Sequence, residues 1–174
     1  MSRVPLHDLD AVPGKIRLNL AHAEATVEPQ LRLGGAILGH QLLAHSLREL
    51  LILLAAKLEG GEYEWVQHVP IAKHVGVSDR QIDAINALDL LSPVFSDAER
   101  ALLAFGQQVV ETVRVDNAVF GRVSQHFSHR EIVEAILTCG FYMTMARITE
   151  ALQVPIDIGA GASVFANAQG GAEG

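Results

Sequence analysis

At 174 residues the chain is long enough to bury one continuous apolar core without metal or disulfide staples. Hydrophobic residues make up 49% of it against 19% charged, which excludes an intrinsically disordered chain and leaves some apolar surface for a second subunit. The formal net charge of -7 comes from 13 basic and 20 acidic residues spread along the chain, so no basic stripe is available to neutralise nucleic-acid phosphates.

The longest apolar run, Leu50 to Ala56, falls well short of the roughly 20 residues of a membrane span. Met1 to Asp10 lack the apolar stretch of a signal peptide, so no membrane association is expected and the cytoplasm is the expected location. Cys139 is the only cysteine. An internal disulfide and dithiol redox chemistry are thereby excluded, in keeping with a reducing compartment.

In chain order, a first helix is expected at about 15–40, with the stretch Leu31 to Gly39 as a flexible corner because of its glycines. Four times a serine is followed three residues later by Glu or Gln and then by an apolar run: Ser46/Glu49, Ser78/Gln81, Ser96/Glu99 and Ser128/Glu131. In this pattern the serine oxygen accepts from a backbone N–H of the first turn while the longer side chain reaches back, so each marks a helix start. Helices are expected at about 46–59, 79–89, 97–113 and 129–152, with others at about 62–75 and 116–126.

Leu50 to Ala56 is apolar on every side, as suits a helix enclosed by neighbours or by another subunit. Gly60 and Gly61 close that helix, and Glu62 opens the next, giving a helical hairpin. Pro70 is expected to kink or thin the second arm just after His68, and Gly76 to stop it. In the last helix Ile132, Val133, Ile136, Leu137, Phe141, Ile148 and Leu152 recur near the helical period, which predicts an amphipathic helix. No strand alternation interrupts the series. The reading is an all-α single domain of six or seven helices over residues 1–155, followed by an irregular Gly/Ala-rich arm over 156–174.

Chemistry gathers on the hairpin. Glu64 and His68 stand four residues apart, on one helix face. Antiparallel packing about Gly60-Gly61 would bring Glu49, near the start of the first arm, toward His68. A carboxylate beside an imidazole fixes its tautomer and supports its protonated form, which makes a proton-transfer unit. Blander roles stand beside these: Glu49 as the capping partner of Ser46, Glu64 and His68 as a surface pair, Tyr63 and Trp65 as packing side chains rather than pocket walls. Cys139 reads as an inert core thiol, and the scattered histidines suggest no metal site.

The stretches Arg48-Glu49-Leu50-Leu51-Ile52-Leu53, Gly60 to Ala72 and Gly76-Val77-Ser78-Asp79, with Gly140 to Leu152 more loosely, resemble the carboxymuconolactone decarboxylase superfamily, which includes the alkylhydroperoxidase D (AhpD) proteins. Peroxidase members of that family carry a glutamate, a Cys-x-x-Cys pair and a histidine four residues after the second cysteine. On this chain those positions fall on Glu49, Gly61, Glu64 and His68. Both thiols are replaced, and peroxide reduction needs one to attack and one to resolve.

The resemblance therefore implies a Glu/His relay without thiol chemistry. His68 would be the proton donor, Glu49 its orienter, Glu64 a second base or polar wall, and Tyr63 and Trp65 pocket walls. The implied activity is that of a lyase or isomerase acting on a small organic acid or lactone, with no cofactor, in a homo-oligomer built on trimers. A non-catalytic assembly or binding protein with a decayed site is the alternative, and residual peroxidase activity the third.

Overall fold

The computed structural model describes Arg3 and residues 19–157. Among the described residues there are seven helices and no strand: α1 (Glu24–His40), α2 (His45–Glu59), α3 (Glu62–His74), α4 (Asp79–Asn86), α5 (Asp97–Thr112), α6 (Asn117–Val123) and α7 (His129–Leu152). The expected all-α fold is borne out. The expected single helix at about 15–40 is interrupted by a turn at residues 21–23, between helical residues 19–20 and α1; residues 15–18 of that expectation and residues 158–174 of the expected arm lie outside the described residues.

Three of the four expected capping boxes form. Ser78, Ser96 and Ser128 each accept from the backbone N–H three residues on, and Gln81, Glu99 and Glu131 reach back to the serine N–H. The fourth does not. Helix α2 begins one residue earlier, at His45, with Ala44 as its cap residue, so Ser46 lies inside the helix and Glu49 is released from any capping role. Leu43 N–H instead donates to Glu134 Oε2 at 2.8 Å, and Gln41 Nε2 donates to the Glu134 carbonyl at 3.2 Å, tying the α1–α2 link to α7.

Helix α2 is the axis of the domain. Leu51, Ile52 and Ala55 join a cluster with Ile37 and Leu38 of α1, Leu102 and Phe105 of α5, and Ile132, Ala135, Cys139 and Tyr142 of α7. Leu50, Leu53 and Leu54 face a second cluster with Ala72, Ile82, Ile85, Phe95 and Leu103. Leu50 to Ala56 are each no more than 1% exposed, so their enclosure is complete within one chain and needs no second subunit. Each fully buried Leu or Ile contributes about 1.5–3 kcal/mol, which places much of the fold's stability on this helix.

Two expectations about the flanking helices are corrected. Leu31 to Gly39 is no corner but part of α1, and Gly34 serves a close approach: a Cβ there would lie 2.8 Å from the Phe141 ring. In α7 the apolar periodicity does not mark the buried face. Val133, Ile136 and Leu137 are 54%, 43% and 49% exposed, while Ile132, Ala135, Cys139, Tyr142, Ala146 and Thr149 face inward. Small side chains such as Ala135, Cys139 and Ala146 alternate with Ile132, Tyr142 and Met145 on the buried face, while Val133, Ile136 and Leu137 are left outside. The length and composition of α7 would suffice for a membrane span, but half of that window is buried inside the domain.

The hairpin turn itself is as expected at Gly60, whose φ of 70° is left-handed. Helix α3 continues through the exposed Pro70 to His74, and Gly76 (φ 97°) follows its end.

Helix α5 approaches α2 at Gly106, where an added Cβ would lie 2.6 Å from Leu51 Cδ2. Replacing Gly106 by alanine is expected to destabilise the protein by about 1–3 kcal/mol through overpacking against an enclosed side chain. Gly140, also helical but with open space around it, gives the control. Gly140→Ala should be neutral or stabilising by about 0.5–1 kcal/mol, since it removes only glycine's backbone entropy. Chemical denaturation of the two variants measures both, and equal effects would contradict the packing described.

Candidate functional site

The hairpin brings Glu49 and His68 together. Glu49 is fully enclosed one turn into α2, His68 lies midway along α3, and His68 Nδ1 is 2.8 Å from Glu49 Oε2. A carboxylate can only accept, so it selects the form of the imidazole with the proton on Nδ1 and leaves Nε2 as the nitrogen for exchange with a substrate. The ring is held from another side by Tyr142 of α7, edge-on with centroids 4.7 Å apart. Burial raises the Tyr142 phenol well above its ordinary range, with the Glu49 carboxylate adding to the rise, so this ring is a neutral wall.

A buried carboxylate needs compensation, and Arg48 supplies it. Its guanidinium is 0% exposed and donates from Nε and NH2 to Glu49 Oε1 at 3.4 and 3.3 Å. The third nitrogen, NH1, donates to the Leu38 carbonyl at 2.8 Å, one of the carbonyls left open at the end of α1, and to His45 Nδ1 at 2.6 Å. An arginine only donates, so His45 receives with a neutral ring. Burial lowers the His45 pKa, and the Arg48 charge lowers it further.

Glu64 stands one turn before His68 on α3 and is 3% exposed. Its two carboxyl oxygens lie 3.1 and 3.0 Å from the Thr149 hydroxyl of α7, not on His68. Desolvation pushes the Glu64 pKa up, against the opposing effects of its own backbone, Thr149 and His68. The Thr149 hydroxyl also lies 3.0 Å from the Ala146 carbonyl, so it can donate to a Glu64 carboxylate or, turned to Ala146, accept from a Glu64 carboxylic acid. Thr149 can thus partner Glu64 in either protonation state.

The same carboxyl accounts for Gly61. A Cβ on Gly61 would fall 2.7 Å from Glu64 Oε2 and 2.8 Å from Ala146 Cβ, so a side chain at 61 and the present one at 64 exclude each other. Cys139 lies elsewhere, in the core, with burial pushing its thiol up to about 12. Among the described residues no three His, Cys, Asp or Glu side chains are placed to hold a metal ion together.

Of the five residues named from sequence, Glu49 and His68 meet directly, and Glu64 stands one turn before His68 on α3 while bonding to α7. Tyr63 lines a cleft of about 350 Å³ between the start of α3, the end of α7 and residues 153–156. Thr149 lines it too, so the cleft abuts Glu64. Trp65 packs against the apolar cluster of Leu50, Leu53 and Leu54. Arg48, Thr149 and Tyr142 were not anticipated. Arg48 carried a usable signal, since a charged residue opening a helix apolar on every side must be paired inside.

The sequence profile of the carboxymuconolactone decarboxylase family matches residues 24–108. No curated protein matches the chain in sequence. Among solved structures, an uncharacterised peroxidase-related protein with an alkylhydroperoxidase AhpD core from Ralstonia eutropha JMP134 is similar over 97% of this chain and 96% of its own, with a TM-score of 0.77 and 19% identity. A protein of unknown function from Agrobacterium tumefaciens is similar over 91% of this chain and 99% of its own, with a TM-score of 0.76 and 21% identity. The debrominase Bmp8, in a complex with 2,3,4-tribromopyrrole, is similar over 90% of this chain and 83% of its own, with a TM-score of 0.73 and 17% identity. At these identities the likeness is one of fold.

The raised Glu64 pKa fixes a pH dependence. A folded-state value above the unfolded one contributes stability that is present below the ordinary 4.5 and is lost as pH rises through the folded value. Glu64→Gln removes that titration. Its melting temperature relative to the unsubstituted protein should climb between pH 4 and pH 8; thermal melts showing a constant or falling difference would contradict the buried, proton-exchanging carboxyl.

Proposed function

Because the chain belongs to the carboxymuconolactone decarboxylase and AhpD-like superfamily, yet carries Gly61 and Glu64 where a thiol pair would stand, we propose that it is an acid/base enzyme of the lyase or isomerase type. The single observation that carries this reading is the buried 2.8 Å contact between Glu49 and His68 beside a second carboxyl with a raised pKa. Its substrate is a small organic acid or lactone.

In the proposed reaction His68 Nε2 passes a proton to a carbon or oxygen that has gained negative charge. Glu49 holds the ring through Nδ1 and balances the imidazolium charge, while Arg48 keeps Glu49 in place. Glu64, as the neutral acid, donates a hydrogen bond or a proton to a developing enolate-type oxygen. Loss of carbon dioxide from a β-keto-type acid uses these two roles: as CO2 leaves, the C–C electron pair passes into an enolate whose oxygen Glu64 hydrogen-bonds and whose carbon His68 protonates; in a double-bond shift the neutral His68 Nε2 would first take a proton from one carbon and then return it to another. No thiol or cofactor enters the scheme.

A non-catalytic binding or assembly protein is the second reading, favoured by the 7% exposure of His68 and by the ties from Tyr63 and Gln67 to Asp157 that close the adjoining surface. The outward row Val133, Ile136 and Leu137 supports a homo-oligomer, trimer-based as in the expectation above, and light scattering that returns a monomer mass would remove it.

A panel of lactones and keto acids separates the readings. The enzyme reading expects turnover of at least one, falling by about 10²–10⁴-fold in His68→Gln while the melting temperature stays near that of the parent. Turnover unchanged by His68→Gln overturns the relay, and the absence of turnover across the panel supports the binding reading.

A further inference from the structure

The carboxyl groups buried around the hairpin are paired within the chain, as the cost of leaving one dry requires: Glu49 with Arg48 and His68, Glu64 with Thr149. Two atoms depart from this rule. Among the described residues neither His68 Nε2 nor the Tyr142 hydroxyl has a hydrogen-bond partner, although the two residues are only 7% and 5% exposed. Neither atom is sealed from solvent.

The two groups are neighbours. Tyr142 stands edge-on to the His68 ring with centroids 4.7 Å apart, so one small molecule can touch both. The register of the helices adds a third group. Helix α7 places Tyr142 against His68, and Thr149, seven residues further along the same helix face, against Glu64, four residues before His68 on α3. Burial and the Glu49 and Glu64 carboxylates hold the proton on the Tyr142 phenol, while burial favours the neutral acid at Glu64. A phenol and a carboxylic acid that carry their protons are both donors, and two donors facing one oxygen stabilise it as it gains negative charge.

We propose that the Tyr142 hydroxyl is a substrate-touching donor, the second arm of an oxyanion subsite that it forms with Glu64 beside His68 Nε2, and that the oxygen of a small enolate or carboxylate occupies it. The catalytic use of the subsite rests on the acid/base reading: as charge reaches the enolate oxygen, Tyr142 Oη and Glu64 donate hydrogen bonds to it while His68 Nε2 delivers the proton to carbon. Its capacity to bind an oxyanion rests on the unpaired hydroxyl and its place beside His68, whether or not turnover follows.

Oxalate, a planar dianion that resembles the enolate of a short keto acid, is the probe. The chain has two tyrosines, so ¹³Cζ-tyrosine labelling of the full-length protein gives two resonances, which Tyr63→Phe assigns. Oxalate should shift the Tyr142 signal. Calorimetry should find oxalate bound at least about tenfold more weakly by Tyr142→Phe, with a melting temperature equal to or above that of the parent, since the hydroxyl removed has no partner to lose. A merely structural hydroxyl would lower the melting temperature and leave the oxalate affinity as it was. For any lactone or keto acid turned over, kcat should fall about 10²-fold in Tyr142→Phe with KM little changed.

No oxalate binding by the parent, an unmoved Tyr142 resonance, or equal affinity in Tyr142→Phe overturns the subsite, and the resonance alone decides if the variant does not fold. Oxalate affinity lost in Tyr142→Phe with no turnover by the parent upholds the subsite and ends the acid/base enzyme reading. Turnover untouched by Tyr142→Phe ends the subsite and leaves the His68 relay standing.

Discussion

A buried guanidinium holds the site and much of the domain in register. Arg48 sits fully buried at the start of a helix, and its nitrogens meet Glu49, the last turn of α1 and His45. Desolvating a charge pair costs several kcal/mol per ion, which only close mutual contact and further hydrogen bonds offset. The pair is therefore a constraint before it is a stabiliser. It fixes where α1 ends, how α2 begins and which way the Glu49 carboxyl turns, and through Glu49 it fixes the His68 ring on α3.

The second constraint is one of volume. Relatives with a thiol pair have side chains at both positions that here are Gly61 and Glu64. In this chain the Glu64 carboxyl and Ala146 fill the space above Gly61, and Thr149 gives the carboxyl a partner that can either donate or accept. The substitution is thus a repacking that exchanges redox-competent groups for one group with a raised pKa, in the same place relative to His68. The proposed acid/base chemistry would need no new scaffold, only the hairpin that aligns Glu49 with His68.

Much of this was readable from the sequence where one local rule governs. The serine boxes at 78, 96 and 128 form because their tertiary contacts are compatible with capping: Gln81 Nε2 donates to Glu99 Oε1 at 2.8 Å while Gln81 Oε1 and Glu99 Oε2 still receive the serine N–H groups. At Ser46 something does compete. Glu49 is worth more to Arg48 and His68 than to a helix end, so the helix starts a residue early and caps on Ala44. The hairpin and its Glu49, Glu64 and His68 were legible because helical spacing and one left-handed glycine determine them.

What the sequence hid depends on packing between distant segments. Thr149 and Asp157 meet α3 across 85 or more positions, a separation that no helical period encodes. The outward apolar row of α7 and the helical glycines of α1 were misread for a related cause: small residues mark close helix contact in this domain, whereas periodic large ones do not always point inward. Arg48 lay between, its position visible and its partners not.

The proposed chemistry depends on Glu49 holding His68 through one nitrogen and leaving the other for a substrate. Long-range ¹H–¹⁵N correlation of the His68 imidazole reads this directly. The expected result is a proton on Nδ1, slow to exchange and shifted by Glu49→Gln, with Nε2 as the nitrogen that responds to ligand. A ring protonated on Nε2 alone, with Nδ1 bare and indifferent to Glu49→Gln, would contradict it.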